Sequence, residues 1–171
     1  MHRRNMIQTS ALTALALALP LSNAVAQTKS LKDQLVGTWM AVSWEQDVPN
    51  GPKFQRYGAN PKGVTVFDAN GRFFSMTARS DLPKIASGNP STPTPEEAKA
   101  IVSGAIGSYG TYTVDEATKA ITLHYEASSF ANQLASDQKR VITSLTADEL
   151  KFQNPTAISG GQIYYGFKRA K

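Results

Sequence analysis

The sequence contains no cysteine, which excludes disulfides, thiolate metal sites and a thiol nucleophile. Histidine is nearly as scarce. His2 lies in a leader-like segment, and His124 is the only other one, so a zinc site built on two or three imidazoles is excluded. The sequence has no Gly-rich phosphate loop and no Gly-x-Ser-x-Gly nucleophile elbow. Beyond the leader-like segment no apolar run approaches the length of a membrane span, so no stable span is expected. A net charge of +5 on 171 residues, without a basic cluster, gives no electrostatic footprint for nucleic acid.

The first 26 residues have the form of an export signal. Met1-His2-Arg3-Arg4 is a short basic start, Met6–Leu21 is an apolar run, and Ala24-Val25-Ala26 has the small-x-small pattern that signal peptidase reads. Cleavage is expected after Ala26. The domain is then residues 27–171 with a net charge of +3 once Arg3 and Arg4 are removed, and its expected location is the periplasm or outside the cell.

From Leu35 onward the rhythm is period two. Strands are predicted over Leu35–Gln46, Val64–Asp68, Arg72–Arg79, Gly110–Asp115, Ala120–Ser128, Gln138–Leu145, Leu150–Asn154 and Gln162–Lys168. Asn70-Gly71 marks a hairpin between the second and third strands, because both residues tolerate positive φ. Eight closely spaced strands suit an antiparallel barrel or sandwich. A barrel of that size has room for packed side chains or one small ligand, and the barrel is the reading adopted here. Two segments break the rhythm. Asp47–Lys62 is a long loop rich in Pro and Gly. Ser80–Pro95 holds four prolines and leads into Thr94-Pro95-Glu96-Glu97, a capping box with proline at the first helical position. A short helix over Thr94–Ala105 is expected to cap the open end of the barrel, turning Ile101, Val102 and Ile106 toward its mouth.

Several stretches, in order, resemble the bacterial and fungal lipocalin-like domain family. They are Leu35-Val36-Gly37-Thr38-Trp39, with its Gly-x-Trp signature, Tyr57-Gly58-Ala59-Asn60-Pro61-Lys62-Gly63, the Phe67–Ser75 hairpin, Tyr109-Gly110-Thr111-Tyr112, and His124 followed by Gln138-Lys139-Arg140. The resemblance implies an all-β fold, an eight-stranded antiparallel lipocalin-like (calycin) barrel enclosing a cavity, with one short helix in a long loop. It also implies that a basic residue of the last strand, Arg169 or else Lys168, packs over Trp39 at the narrow end.

The candidate ligand-binding residues are Trp44, Glu45, Tyr57, Phe74, Tyr109, Tyr112, His124, Glu126, Arg140 and Tyr165. With Trp39 inward, alternation sends Ser43 and Glu45 inward too. The strand Ala120–Ser128 has two faces, Ile121/Leu123/Tyr125 and Thr122/His124/Glu126, and either can be the interior one. If His124 and Arg140 share the interior, Arg140 supplies a permanent planar donor for a carboxylate, phenolate or enolate. His124 can then donate a hydrogen bond or move a proton near neutral pH, with Glu126 orienting one or the other. Three functions stay open. The first is an exported barrel that binds a small hydrophobic or aromatic molecule carrying an acidic or carbonyl group. The second is a cyclase, isomerase or dehydratase without metal or organic cofactor, in which His124 and Arg140 are the catalytic residues. The third is a filled barrel without ligand that acts in the cell envelope.

Overall fold

In the computed structural model, which describes residues 29–157 and 160–171, period-two alternation closes on itself. Eight strands run β1 (Gly37–Gln46), β2 (Lys62–Phe67), β3 (Arg72–Ala78), β4 (Ala105–Asp115), β5 (Ala120–Ser128), β6 (Gln138–Leu145), β7 (Glu149–Asn154) and β8 (Ile163–Arg169). Each pairs antiparallel with its chain neighbour, and β8 returns to β1, giving a closed barrel in simple sequence order. Closure gives every strand a hydrogen-bonded neighbour on each side over at least part of its length. The expected leader and its cleavage after Ala26 lie outside the described residues.

Turn chemistry sets the register. Between β2 and β3 the Asp68 carboxylate accepts from the Arg72 backbone N–H at 2.8 Å. Gly71 takes the left-handed conformation with φ +85°. Asn70 is not in that region, so this is a wider hairpin than the two-residue form read from Asn-Gly. The register opposite Phe67 is Phe73, which sends Phe73 inside and leaves Phe74 outside. The short helix α2 (Pro95–Gly104) forms where the capping box predicts it. The Thr94 hydroxyl accepts from the Glu97 N–H, and the Glu97 carboxylate accepts from the Thr94 N–H at 2.8 Å. Two other short elements left no periodic signal: α1 (Leu31–Leu35) and a 3₁₀ turn at Ala131–Ala135.

One end of the barrel is sealed. Trp39 has no exposed surface, its indole N–H donates to the Leu35 carbonyl at 2.8 Å, and the Arg169 guanidinium lies 4.0 Å from its ring centroid. Arg169 also donates to the carbonyls of Val36 (2.9 Å), Gln34 (2.7 Å) and Ala147. Gln34 and Val36 close α1, whose last carbonyls have no partner within so short a helix, so the arginine satisfies them and closes the barrel at once. The basic residue expected over Trp39 is thus Arg169, while Lys168 is exposed. Leu35, Phe67, Tyr112, Ile121, Leu150 and Phe167 fill this half as one packed cluster. The opposite half has a smaller cluster of Trp44, Tyr57 and Ile163.

Gly37 holds φ +140°, and a Cβ there would overlap the Arg169 guanidinium. Gly37→Ala is therefore expected to cost about 2 kcal/mol or more of unfolding free energy, combining backbone strain with displacement of the arginine. Urea denaturation followed by Trp fluorescence checks this. A loss below about 0.5 kcal/mol would show that the seal does not depend on that close approach.

Candidate functional site

The phase of β1 decides which aromatic ring enters the hollow half. Val42 is an extra residue in the pairing with β8, where Ala41 faces Phe167 and Ser43 already faces Gly166. This bulge reverses the alternation. Trp39 and Ala41 point in on one side of it, Trp44 and Gln46 on the other. The expectation that Ser43 and Glu45 turn inward is corrected on that ground. The Glu45 carboxylate lies on the outside, 3.4 Å from Lys53 Nζ.

The hollow half is a cavity of about 220 Å³, smaller than the usual range of small-molecule pockets. Its floor is the top of the packed cluster, with Phe67, Phe73, Leu123, Phe152 and Phe167 belonging to both. One wall is an aromatic ladder. Trp44 meets Tyr57 edge-on at 5.3 Å between centroids and Tyr165 edge-on at 6.3 Å, and Tyr165 leans on Phe152 at 4.8 Å. Facing strands contribute short hydroxyls, and Thr65 and Ser75 hydrogen-bond to each other at 2.9 Å. Arg56, Phe130 and Ala157 from loops and Gln133 from the 3₁₀ turn form the rim, and Tyr57, also from a loop, is buried in the wall.

Arg140 is the charged group inside. It is 4% exposed and lines the cavity. One guanidinium nitrogen donates to the Lys139 carbonyl at 3.0 Å, the other reaches the Tyr125 hydroxyl at 3.4 Å, and the group lies 5.4 Å from the Tyr165 ring centroid. No Asp or Glu is among the described residues that line the cavity. Tyr57 and Tyr125 are both raised in pKa by burial, Tyr57 to about 12. Nearby arginines pull against the shift in each case, Arg56 for Tyr57 and Arg140 for Tyr125. Both phenols therefore stay protonated near neutral pH and can donate hydrogen bonds.

The site residues read from the sequence divide into two groups. Trp44, Tyr57, Arg140 and Tyr165 come together in the cavity. Tyr112 is buried in the sealed half, where its hydroxyl donates to the Asp68 carbonyl at 2.7 Å. Phe74 and Tyr109 face outward from neighbouring strands and are 46% and 45% exposed. Glu126 is outside, in a two-toothed ion pair with Arg72 at 2.7 and 3.2 Å. His124 is outside too, with its Nδ1 2.8 Å from Asp137.

The cause is register. Ile121 faces Arg140 and Leu123 faces Gln138 across the β5–β6 pair. The apolar Ile121/Leu123/Tyr125 face is therefore the interior one, and His124 is on the opposite face from Arg140. The catalytic pair His124–Arg140 is not assembled, and the proton-transfer mechanism that needed it is withdrawn. The same parity could have found two residues the sequence reading left out: Gln138, two before Arg140, and Tyr125, two after Leu123. Arg56, Phe130 and Gln133 sit in irregular segments and carried no periodic signal.

The helix also differs from expectation. Val102 is 72% exposed. Ile106 lines the cavity, but from β4, which begins at Ala105 directly after α2. The helix is tied to the surrounding loops instead. The Glu97 carboxylate accepts from the Ala86 N–H at 2.8 Å, and Arg56 Nε donates to the Ser103 carbonyl at 2.9 Å.

A family model described as a lipocalin-like domain matches residues 36–164. None of the curated proteins compared matches the chain. Among solved structures, a lipocalin-like protein from Bacteroides uniformis is similar at 11% identity and a TM-score of 0.44, covering 80% of this chain and 99% of its own. A redesigned β-barrel is similar at 14% identity and a TM-score of 0.43, covering 84% and 98%. Among the described residues no helix is long and apolar enough to cross a membrane.

The buried phenols set an alkaline limit. Burial raises Tyr57 and Tyr112 from the ordinary value of 10.0 to about 12 in the folded protein. Below pH 10 both stay protonated whether the chain is folded or not, so their contribution is constant. Between pH 10 and 12 the unfolded chain loses these protons and the folded chain keeps them, which favours unfolding. Stability in urea is therefore expected to fall steadily across that interval. Ultraviolet titration is expected to show two phenols that ionise only near pH 12 or on unfolding. Ionisation of every tyrosine near pH 10 without unfolding would contradict their burial.

Proposed function

Because the chain belongs to the lipocalin-like domain family, we propose that its cavity binds a small hydrophobic or aromatic molecule carrying an acidic or carbonyl group. The observation that carries this reading is Arg140, a buried cation facing the cavity, with no carboxylate among the lining residues. A guanidinium does not shed its proton as a buried lysine can, and burying an ion without a counter-ion costs several kcal/mol. A ligand carboxylate, phenolate or enolate would supply the missing charge through two parallel hydrogen bonds. The protonated Tyr125 hydroxyl, next to the same guanidinium, is placed to donate to the same oxygen.

The rest of the lining suits the body of such a ligand. Trp44, Tyr57 and Tyr165, meeting edge to face, form an aromatic wall and the phenylalanine floor is apolar, while Thr65 and Ser75 satisfy each other. One or two rings or a short aliphatic chain match the volume. Binding rather than turnover is the activity proposed, since the imidazole available for proton transfer is outside the barrel. We also propose export to the periplasm or beyond, which rests on the signal-like pattern of Met1–Ala26. Protein from its own host is expected to have the mass of a chain beginning at Gln27, and recovery of the full-length chain alone would contradict export.

Titration with decanoate or naphthoate is expected to quench Trp44 fluorescence saturably. Arg140→Gln should weaken binding of the acids about 10–100-fold, the value of a charge-assisted hydrogen bond. Binding of the matching alcohols should change by less than about threefold. Absence of saturable binding by any acid, or an equal loss for acids and alcohols, would overturn the proposal.

A further inference from the structure

The five described arginines are used in two different ways. Arg72 and Arg79 hold the carboxylates of Glu126 and Asp81, and Arg169 spans backbone carbonyls over Trp39. Arg140 and Arg56 both line the cavity, and neither forms an ion pair among the described residues. Arg56 is half-buried at the rim, and only its Nε is engaged by the protein, in the bond to the Ser103 carbonyl. Among the described residues the cavity thus has two permanent cations and no anion.

The two cations stand at opposite ends of one aromatic surface. The Arg140 guanidinium lies 5.4 Å from the Tyr165 centroid, Tyr165 meets Trp44, Trp44 meets Tyr57, and the Arg56 guanidinium lies 5.7 Å from the Tyr57 centroid. We infer that the ligand is a diacid: an apolar body lying along this ladder, with one anionic group on Arg140 and a second at the mouth on Arg56. The inference rests on the reading that the cavity binds an acid, and it adds the second charge. A ligand with one acid would leave Arg56 to solvent, and one with an uncharged polar far end would gain only the weaker neutral hydrogen bond. A ligand anion at the rim gains a fixed planar donor, although salt screens that contact more than the one at Arg140.

The test compares straight-chain dicarboxylates, from octanedioate to hexadecanedioate, with the corresponding monocarboxylates, using Trp fluorescence or calorimetry. Arg56→Gln is expected to weaken the best dicarboxylate about tenfold or more and to leave the monocarboxylates within about twofold. Arg56→Lys, which keeps the charge but not the planar fork, should recover most of the dicarboxylate affinity, separating loss of charge from loosening of the rim. Arg140→Gln should weaken both series. If the monocarboxylates bind through Arg140 but Arg56→Gln affects both series equally or neither, the second charge is overturned while acid binding stands. If neither series binds the unaltered protein, both fall.

Discussion

The indole of Trp39, sealed beneath the Arg169 guanidinium, closes one end of the barrel, so that the filled half lies at that end and the hollow half at the other. An eight-stranded barrel is barely wide enough for side chains to meet across it. With Trp39, Phe67, Tyr112, Ile121, Leu150 and Phe167 meeting at one end, that end has no space left. The cation–π contact is worth about 0.5–2 kcal/mol, but its larger effect is geometric. The same guanidinium ties down the end of α1 and the loop before β7, so β1 and β8 enter the sheet from a fixed point. A ligand therefore has to enter from the other end, where the rim is made of loops.

The aromatic wall of the hollow half exists because β1 changes phase. Had alternation continued unbroken past Trp39, Ser43 and Glu45 would face the interior and Trp44 the solvent. The extra residue at Val42 turns Trp44 into the cavity, where Tyr57 and Tyr165 close on its edges. The aromatic wall thus depends on one bulge. The polar end of the site follows from the pairing of Ile121 with Arg140, which sets a guanidinium among apolar neighbours and His124 among solvated ones.

The strands were legible in the sequence, because alternation and turn residues are local signals that barrel closure reinforces, and the Gly37-x-Trp39 seal was legible through the family resemblance. The capping box at Thr94 was legible as a local signal too. Side-chain phase was not. A bulge has no reliable local signature, and beyond it every inside-outside assignment inverts, as Glu45 shows. His124 and Glu126 illustrate a different failure. The apolar period of Ile121, Leu123 and Tyr125 pointed the right way, and a family resemblance at His124 and Arg140 kept open an arrangement that the β5–β6 register does not permit. The aromatic rings of Phe74 and Tyr109 suit a ligand wall, but ring type says nothing about which face of a strand carries it. Arg56 belongs to a loop whose position is set by tertiary contacts such as its bond to Ser103.

The proposed binding site depends on a ligand anion neutralising Arg140 within the barrel. The crystal structure of the protein with decanoate tests that most directly. The carboxylate is expected about 2.8 Å from the Arg140 guanidinium nitrogens, with the chain running along Tyr165 and Trp44 toward the mouth. A carboxylate left in solvent with the chain end buried against Arg140, or an empty cavity at saturating decanoate, would contradict it.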